Sequence, residues 1–359
     1  MRIGVLTGGG DCPGLNAVIR AVVKTAEHEY HDEVYGIRDG FSGLINNRIH
    51  PLDLARVSGL ISRGGTILGS SNRDNPFKYA EYNGGSYKEV DVSDRVIENI
   101  KKSNLDCLIV IGGDGTQAIA HQFFQRGINV IGIPKTIDND LGSTEITFGH
   151  DTAVNTVMDA LDKIQTTAES HHRIMVVEVM GRDAGWIAMA AGMAGGAHII
   201  LIPEIAFDIE KIAQKIYERK GRGKHFTVIV VAEGAKMAGQ DRVVKRIVEG
   251  SAEKVRLGGI GEFVANELER LTHVETRCTV LGHIQRGGSP SAFDRILATR
   301  YGSAAVVFAH EGKFGHMAAL RTPEIVAVPL SEALHKMKNV EPGGNHILTA
   351  RQVGISFGD

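Results

Sequence analysis

Long apolar runs are missing from this chain. None reaches the roughly 18 residues that a membrane-spanning helix needs. An excess of one charge is missing too: 40 Lys and Arg face 42 Asp and Glu, for a formal net charge of −2. No basic surface field therefore argues for nucleic acid or membrane partners. Cysteine is scarce. Cys12, Cys107 and Cys278 lie far apart and without metal-binding spacing, which excludes a disulfide framework and points to reduced thiols in a cytoplasmic protein. No base or spacing marks any of them as a nucleophile. The pair His171-His172 has no second pair to complete a zinc site. A charged-then-apolar leader is absent before the first strand pattern, so export is not expected. No internal repeat suggests a solenoid or propeller.

Glycine is plentiful, with 44 residues in a chain of 359. The length suits two domains better than one core. Short β-branched runs predict strands at 3–7, 34–37, 106–111, 129–133, 174–180, 198–202, 226–232 and 276–281. Helical stripes lie between them. Leu15, Val18, Ile19, Val22, Val23 and Ala26 share a face over 15–29. Val154, Val157, Leu161 and Ile164 do so over 152–166, with Asp151 or Thr152 as the cap. This alternation predicts an α/β fold of mostly parallel sheets covered on both faces. The polar stretch 81–88 reads as a surface loop, and 338–346 as a hinge before a short tail.

Ligands of open α/β sheets sit outside the carboxyl ends of the strands. Six strand ends carry glycine or ionisable side chains: Gly8 to Gly14, Gly112 to Thr116, Pro134 to Asp140, Gly181 to Gly185, Glu233-Gly234, and Gly282 to Gly288. Glycine-rich turns entering helices offer backbone N–H groups to anions. Gly112-Gly113-Asp114-Gly115-Thr116 lacks the Gly-Lys-Ser/Thr ending of a Walker A loop, and Gly8 to Gly14 carries an aspartate and a proline foreign to a dinucleotide fingerprint. A carboxylate among phosphate-cradling glycines repels phosphate unless a cation intervenes, and Mg2+ held by Asp114 fits that need. Asp138 and Asp140, spaced by two on extended backbone, would point the same way; one takes a hydroxyl proton while the other lies nearer the metal. Arg73, Arg173, Arg182, Arg277 and Arg286 all fall in turns or at strand ends, and guanidinium groups suit phosphate. The residues thus describe a magnesium-dependent phosphoryl transferase with an anionic hydroxyl substrate.

The ordered set Gly8-Gly9-Gly10-Asp11-Cys12-Pro13-Gly14-Leu15-Asn16, Gly112 to Thr116, Pro134 to Asp140, Val179-Met180-Gly181-Arg182 and Leu281 to Pro290 resembles the 6-phosphofructokinases. The likeness runs from the first strand to about residue 330, and the tail to Asp359 is similar to a long bacterial subgroup with mixed phosphoryl donors. It implies two similar three-layer domains with the active site in the cleft between them. Residues 1–138 with about 251–305 would bind the donor, 139–250 with about 306–335 the sugar phosphate, and 336–359 would form the tail. It further implies transfer from ATP with Mg2+ to the C1 hydroxyl of fructose 6-phosphate. Asp138 would be the base, beside Asp140, and Thr136 and Arg182 would steady the transferring group. Asp114 would hold the metal, and Gly10, Arg73, Gly113, Gly115 and Thr116 would line the donor site. Met180, Glu233, His283 and Arg286 would hold the sugar phosphate, with Ile137, Gly181, Ile284 and Gln285 beside them. Arg173 and Arg277 would reach the site of a neighbouring subunit, as in a homotetramer.

Two positions bear on the donor. Pyrophosphate-using relatives typically carry aspartate where this chain has Gly115, which leaves room for a nucleotide. They carry lysine at the place of Lys135, a cation suited to pyrophosphate. Exclusion by charge and bulk outweighs an added attraction, so ATP is expected and pyrophosphate is the alternative. NAD kinases and lipid kinases share Gly-Gly-Asp-Gly but lack the Thr136 to Asp140 and His283 to Gly288 elements. A nicotinamide dehydrogenase would need a true glycine fingerprint. A non-catalytic sugar-phosphate-binding subunit would be expected to lose Asp138, Asp140 or Arg182, and all are present.

Overall fold

The β-branched runs assemble into two sheets in a computed structural model, which describes residues 1–84, 86–240, 244–247 and 255–359. The larger has seven strands in the order Glu324–Pro329, His316–Arg321, Val130–Pro134, Cys107–Gly112, Arg2–Thr7, Glu33–Ile37, Ile49–Pro51. Its inner strands are parallel, with Ile3 opposite Cys107 and Leu108 opposite Val130; only the two edge pairs are antiparallel. The second sheet, ordered Thr276–Val280, Ile174–Val179, Thr227–Ala232, Ile199–Leu201, is wholly parallel. Cys107–Gly112, Ile174–Val179 and Thr227–Ala232 are buried at every residue. Continuous apolar runs, not alternating ones, are what a strand covered on both faces requires.

Three apolar clusters follow from this arrangement. One covers the outer face of the larger sheet with Leu6, Leu108, Val110 and Phe123. Another covers the outer face of the second sheet with Ile174, Val176, Ile229 and Leu268. The third is shared: Ile3, Ile109 and Ile131 of one sheet and Met175, Val177 and Ile200 of the other join one cluster with the helices Leu15–Tyr30, His150–His171 and Ala292–His310. Both sheets thus turn an inner face to one core, and their carboxyl ends meet beside it.

Several expectations change. Thr276–Val280 lies in the second sheet, and His316–Arg321 and Glu324–Pro329 lie in the first. That is the reverse of the allotment expected for 251–305 and 306–335, because partners in a parallel sheet are chosen across long crossovers that local sequence does not encode. The boundary expected near 250–251 lies outside the described residues. The stretch expected as a loop at 81–88 falls in a hairpin of Tyr79–Asn83 and Ser86–Val90, with Tyr82 against Tyr87. The hinge expected at 338–346 is pinned: Lys338 contacts the loop 139–145, and a helix, Asn345–Gln352, follows. Beyond it Ser356 pairs with Ile199 as a further edge of the second sheet.

The helix His150–His171 is not capped by Asp151 or Thr152. Gly149 is its N-cap, in left-handed conformation, and the acceptor comes from another helix. Asp294, fully buried, accepts from Gly149 N (2.9 Å), Thr152 N (2.8 Å) and Thr152 Oγ1 (2.5 Å). Burial holds its pKa up at about 6 despite these donors. Asp294→Ala would leave those donors without an acceptor, and we expect urea unfolding to record a loss of about 3 kcal/mol.

Candidate active site

The larger sheet changes winding direction between Arg2–Thr7 and Cys107–Gly112, which is where open α/β sheets leave a crevice. Gly8 to Gly10 leave the first strand and Gly113 the second. The helix Asp114–Gln125 then begins with no side-chain cap, so its first-turn N–H groups remain to be satisfied. That helix approaches closely because of glycine: a Cβ on Gly112 would lie 2.3 Å from Thr116 Cβ. Gln117 fixes the neighbouring strand ends, its Nε2 donating to the carbonyls of Val110 (3.2 Å), Gly112 (3.1 Å) and Ile133 (2.9 Å).

The next strand empties into Lys135 to Asp140. Thr136 Oγ1 donates to Asp138 Oδ2 (3.2 Å) and accepts from Asp138 N (3.1 Å). The other carboxylate oxygen, Asp138 Oδ1, is buried with no hydrogen-bond partner among the described residues, a costly arrangement for a group that only supports the fold. Asp138 and Asp140 do not lie on extended backbone as expected. Asn139 between them is left-handed, with φ 54°, and its Oδ1 accepts from Thr147 N (3.1 Å) and Lys338 Nζ (2.7 Å). Both carboxylates nonetheless line one cavity.

Opposite them stand the carboxyl ends of the second sheet. Arg182 is left-handed (φ 52°) after Gly181 (φ 144°), a strained backbone of the kind that collects at functional sites. Its N–H donates to Glu233 Oε1 (3.2 Å), and its Nη1 lies 3.8 Å from Asp114 Oδ1. Gln285 is fully buried. Its Oε1 accepts from Met180 N (3.3 Å) and its Nε2 donates to Gly282 O (3.0 Å), fastening the turn that carries Arg286. Arg286 passes over Gly10, where an added Cβ would meet its guanidinium at 2.2 Å.

Burial sets the electrostatics. It raises the carboxyl pKa of Asp138, opposed by Arg182 and Arg286. Asp140 is pushed up to about 7 by burial and then by Asp138 and Asp114, and Glu233 to about 7 by burial. Burial lowers the pKa of Lys135, whose ammonium donates to Gly10 O at 2.6 Å. The cavity between these groups measures about 240 Å³. Asp114, Gly115, Lys135, Asp138, Arg182 and Arg286 are among the residues that line it.

Comparison with known proteins gives this geometry a family. A phosphofructokinase family model matches residues 2–309. The chain belongs to the phosphofructokinase family. It is 54% identical over 360 residues to ATP-dependent 6-phosphofructokinase 2 of Clostridium perfringens, covering 100% of this chain and 98% of that one. It is 52% identical over 359 residues to ATP-dependent 6-phosphofructokinase of Chloroflexus aggregans, at the same coverage. It is 48% identical, over the whole of both chains, to a pyrophosphate–fructose 6-phosphate 1-phosphotransferase of Streptomyces coelicolor. Among solved structures, phosphofructokinase of Saccharomyces cerevisiae superposes with a TM-score of 0.80 at 30% identity over 93% of this chain, which spans 45% of the yeast polypeptide.

This phosphofructokinase chain brings most of its expected site residues together. Gly10, Gly113 to Thr116, Lys135 to Asp138, Asp140, Arg182 and Arg286 line the cavity. Met180, Gly181, Glu233 and Gln285 support that wall from behind, while His283 and Ile284 are exposed. Arg73 is exposed and outside the lining; its neighbours Asn72, Asp74 and Asn75 are in it. Arg173 and Arg277 lie outside as well, both paired with Glu275 (2.9 and 2.5 Å). Phe41 and Ile119 enter the lining without having been foreseen. Phe41 follows the strand Glu33–Ile37, whose carboxyl end carries no glycine cluster or paired aspartates to mark it.

The raised carboxyl of Glu233 has a consequence for stability. In the unfolded chain it ionises near the ordinary carboxylate range, whereas the native state holds its proton up to about 7. The native state therefore binds more protons in this window, and the stabilisation is lost as pH rises through 7. Glu233→Gln should flatten the fall in unfolding free energy between about pH 5 and 8, measured by denaturant titration at several pH values.

Proposed function

We propose that this protein transfers the γ-phosphoryl group of ATP to the C1 hydroxyl of fructose 6-phosphate, giving fructose 1,6-bisphosphate and ADP, as a glycolytic kinase of the cytoplasm. The observation that carries the reading is Asp138 Oδ1, a buried carboxylate oxygen without a partner among the described residues, in a cavity that also gathers glycine turns, Asp114, Asp140, Lys135, Arg182 and Arg286.

Asp138 takes the hydroxyl proton as the C1 oxygen attacks. Its raised pKa leaves it able to hold that proton once transferred. Arg182 faces the charge that builds on the equatorial oxygens, and Thr136 keeps Asp138 turned toward the cavity. Asp140, pushed up to about 7, lies close to the same charge. Gly10 and Gly113 to Thr116 cradle the donor phosphates, and Phe41 and Ile119 supply an apolar wall for a nucleoside. Met180, Glu233, His283 and Arg286 hold the sugar phosphate. Arg173 and Arg277, held outward on Glu275, reach the site of a neighbouring subunit in a homotetramer.

The donor set fits Mg2+. Asp114 is half-exposed at the cavity wall, with Arg182 Nη1 3.8 Å from its Oδ1. Among the described residues no group of three or more His, Cys, Asp or Glu could hold a metal alone. Magnesium bound through a carboxylate and the donor's own phosphates needs none. When bound it neutralises phosphate charge.

Gly115 supports ATP, since a Cβ there meets nothing within 4 Å and the space stays open for a nucleotide. Pyrophosphate remains a second reading because Lys135 reaches the same wall and a relative at 48% identity is named for that donor. With Mg2+ and fructose 6-phosphate, turnover should occur with ATP and not with pyrophosphate. Gly115→Asp has room to fold and should abolish turnover with ATP; turnover with pyrophosphate alone would overturn this choice of donor. Asp138→Asn should lower kcat by about a thousandfold, read in a coupled ADP assay.

A further inference from the structure

Lys338 differs from its neighbours. His335, Lys336, Met337 and Asn339 are exposed, whereas Lys338 turns inward beside Trp186. Its Nζ donates to Asn139 Oδ1 (2.7 Å), Thr144 O (3.1 Å) and Glu145 O (2.5 Å). Three donors meet three acceptors, so the ammonium is fully used. The main chain at the same residue adds two ties: Lys338 N donates to Asp140 O (2.8 Å), and Lys338 O accepts from Trp186 Nε1 (2.7 Å). The indole ring lies 5.7 Å from the ammonium. Two residues on, Val340 N donates to Glu204 Oε1, which also accepts from Gly185 N, both at 2.9 Å.

These contacts converge on two turns. One is Thr136 to Thr147, in which left-handed Asn139 separates Asp138 from Asp140. The other is Gly181 to Trp186, which carries Arg182. A non-glycine residue persists in the left-handed region only when its surroundings over-determine it. Of the two donors on Asn139 Oδ1, Thr147 N belongs to the same loop and Lys338 Nζ comes from the tail. The tail is held in turn at the second sheet: Ile200 N donates to Ser356 O (2.9 Å), Ser356 N to His198 O (3.1 Å) and Asp208 N to Gly358 O (2.7 Å).

We propose that Lys338 is a positioning residue for phosphoryl transfer, acting through Asn139 to hold the Asp138–Asp140 turn in register with the Arg182 turn. The inference rests on the functional reading above only for the reaction that it serves; the mechanical claim concerns the loop itself. Lys338 touches no reacting atom in this scheme. It fixes the angle from which Asp138 meets the hydroxyl, so its loss acts on kcat and leaves KM for both substrates nearly unchanged. Misplacing a catalytic group by about 1 Å costs on the order of 100-fold in rate.

The test compares wild type with Lys338→Met, Lys338→Arg, Asn139→Gly and the double variant Lys338→Met/Asn139→Gly. Glycine adopts the left-handed conformation freely, so Asn139→Gly removes the acceptor without straining the turn. Steady-state kinetics are read with hydrogen–deuterium exchange over residues 137–147 and with emission of Trp186, the single tryptophan of the chain. Lys338→Met should lower kcat about 10- to 100-fold with each KM within about twofold. It should also speed exchange in the loop and shift Trp186 emission. Lys338→Arg should recover part of kcat, and the double variant should be no slower than the slower single variant. If Lys338→Met does not fold, Asn139→Gly decides alone by the same kinetic and exchange criteria. Unchanged exchange, unchanged kcat or a loss confined to KM would overturn the proposal. If the wild type fails to phosphorylate fructose 6-phosphate, the functional reading falls, and the exchange rates still judge the loop restraint.

Discussion

Everything in the cleft depends on one apolar core that both sheets share. Ile109 and Ile131 face inward from the larger sheet, Val177 and Ile200 from the second, and the helices between them fill the gap. A parallel sheet has a polarity, and its carboxyl end is where turns and helix N-termini gather. Two sheets that bury their inner faces in the same core have a fixed mutual angle, so their carboxyl ends form opposing walls. Polar contacts fasten the same arrangement. Asp294 on the helix Ala292–His310 anchors the start of His150–His171, and Tyr301 donates to the carbonyl of Ile146 at 2.6 Å. These contacts bracket the loop that bears the aspartates.

Polar pairing in the cleft is incomplete: Asp138 Oδ1 and Arg286 Nε are buried without hydrogen-bond partners among the described residues. Asp138 and Asp114 both repel the carboxylate of Asp140, and burial makes Asp138 and Asp140 harder to ionise. Arg182 and Arg286 compensate in part, while Lys135 is spent on the carbonyl of Gly10. A fold optimised for stability alone would neutralise these carboxylates or replace them. Strained backbone at Asn139 and Arg182 points the same way. Stability is conceded at the turns that carry the chemistry and regained in the core behind them.

Much of this was legible before any coordinates. The short β-branched runs mark eight strands to within a residue or two, because a strand covered on both faces needs an unbroken apolar run. The aspartate and glycine turns stood out because such residues are poor at building cores. Other features left no local trace. Ala318 and Ala319 form a strand without β-branched side chains, and pairing of Thr276–Val280 with Ile174–Val179 depends on a partner about a hundred residues away. Gln117 carries no mark of its task, since any polar residue on that helix face would look alike. The spacing of Asp138 and Asp140 was read on the wrong backbone, and only the fold discloses that Asn139 turns left-handed.

The strand Ile199–Leu201 ends the second sheet on one side, and Ser356 pairs beside it while Phe357 is fully buried. A bare parallel edge offers unpaired N–H and C=O groups to any passing extended chain and is a standing invitation to aggregation. The last few residues therefore act as a built-in stopper. They cap a sticky margin with the chain's own backbone and close the sheet to strangers.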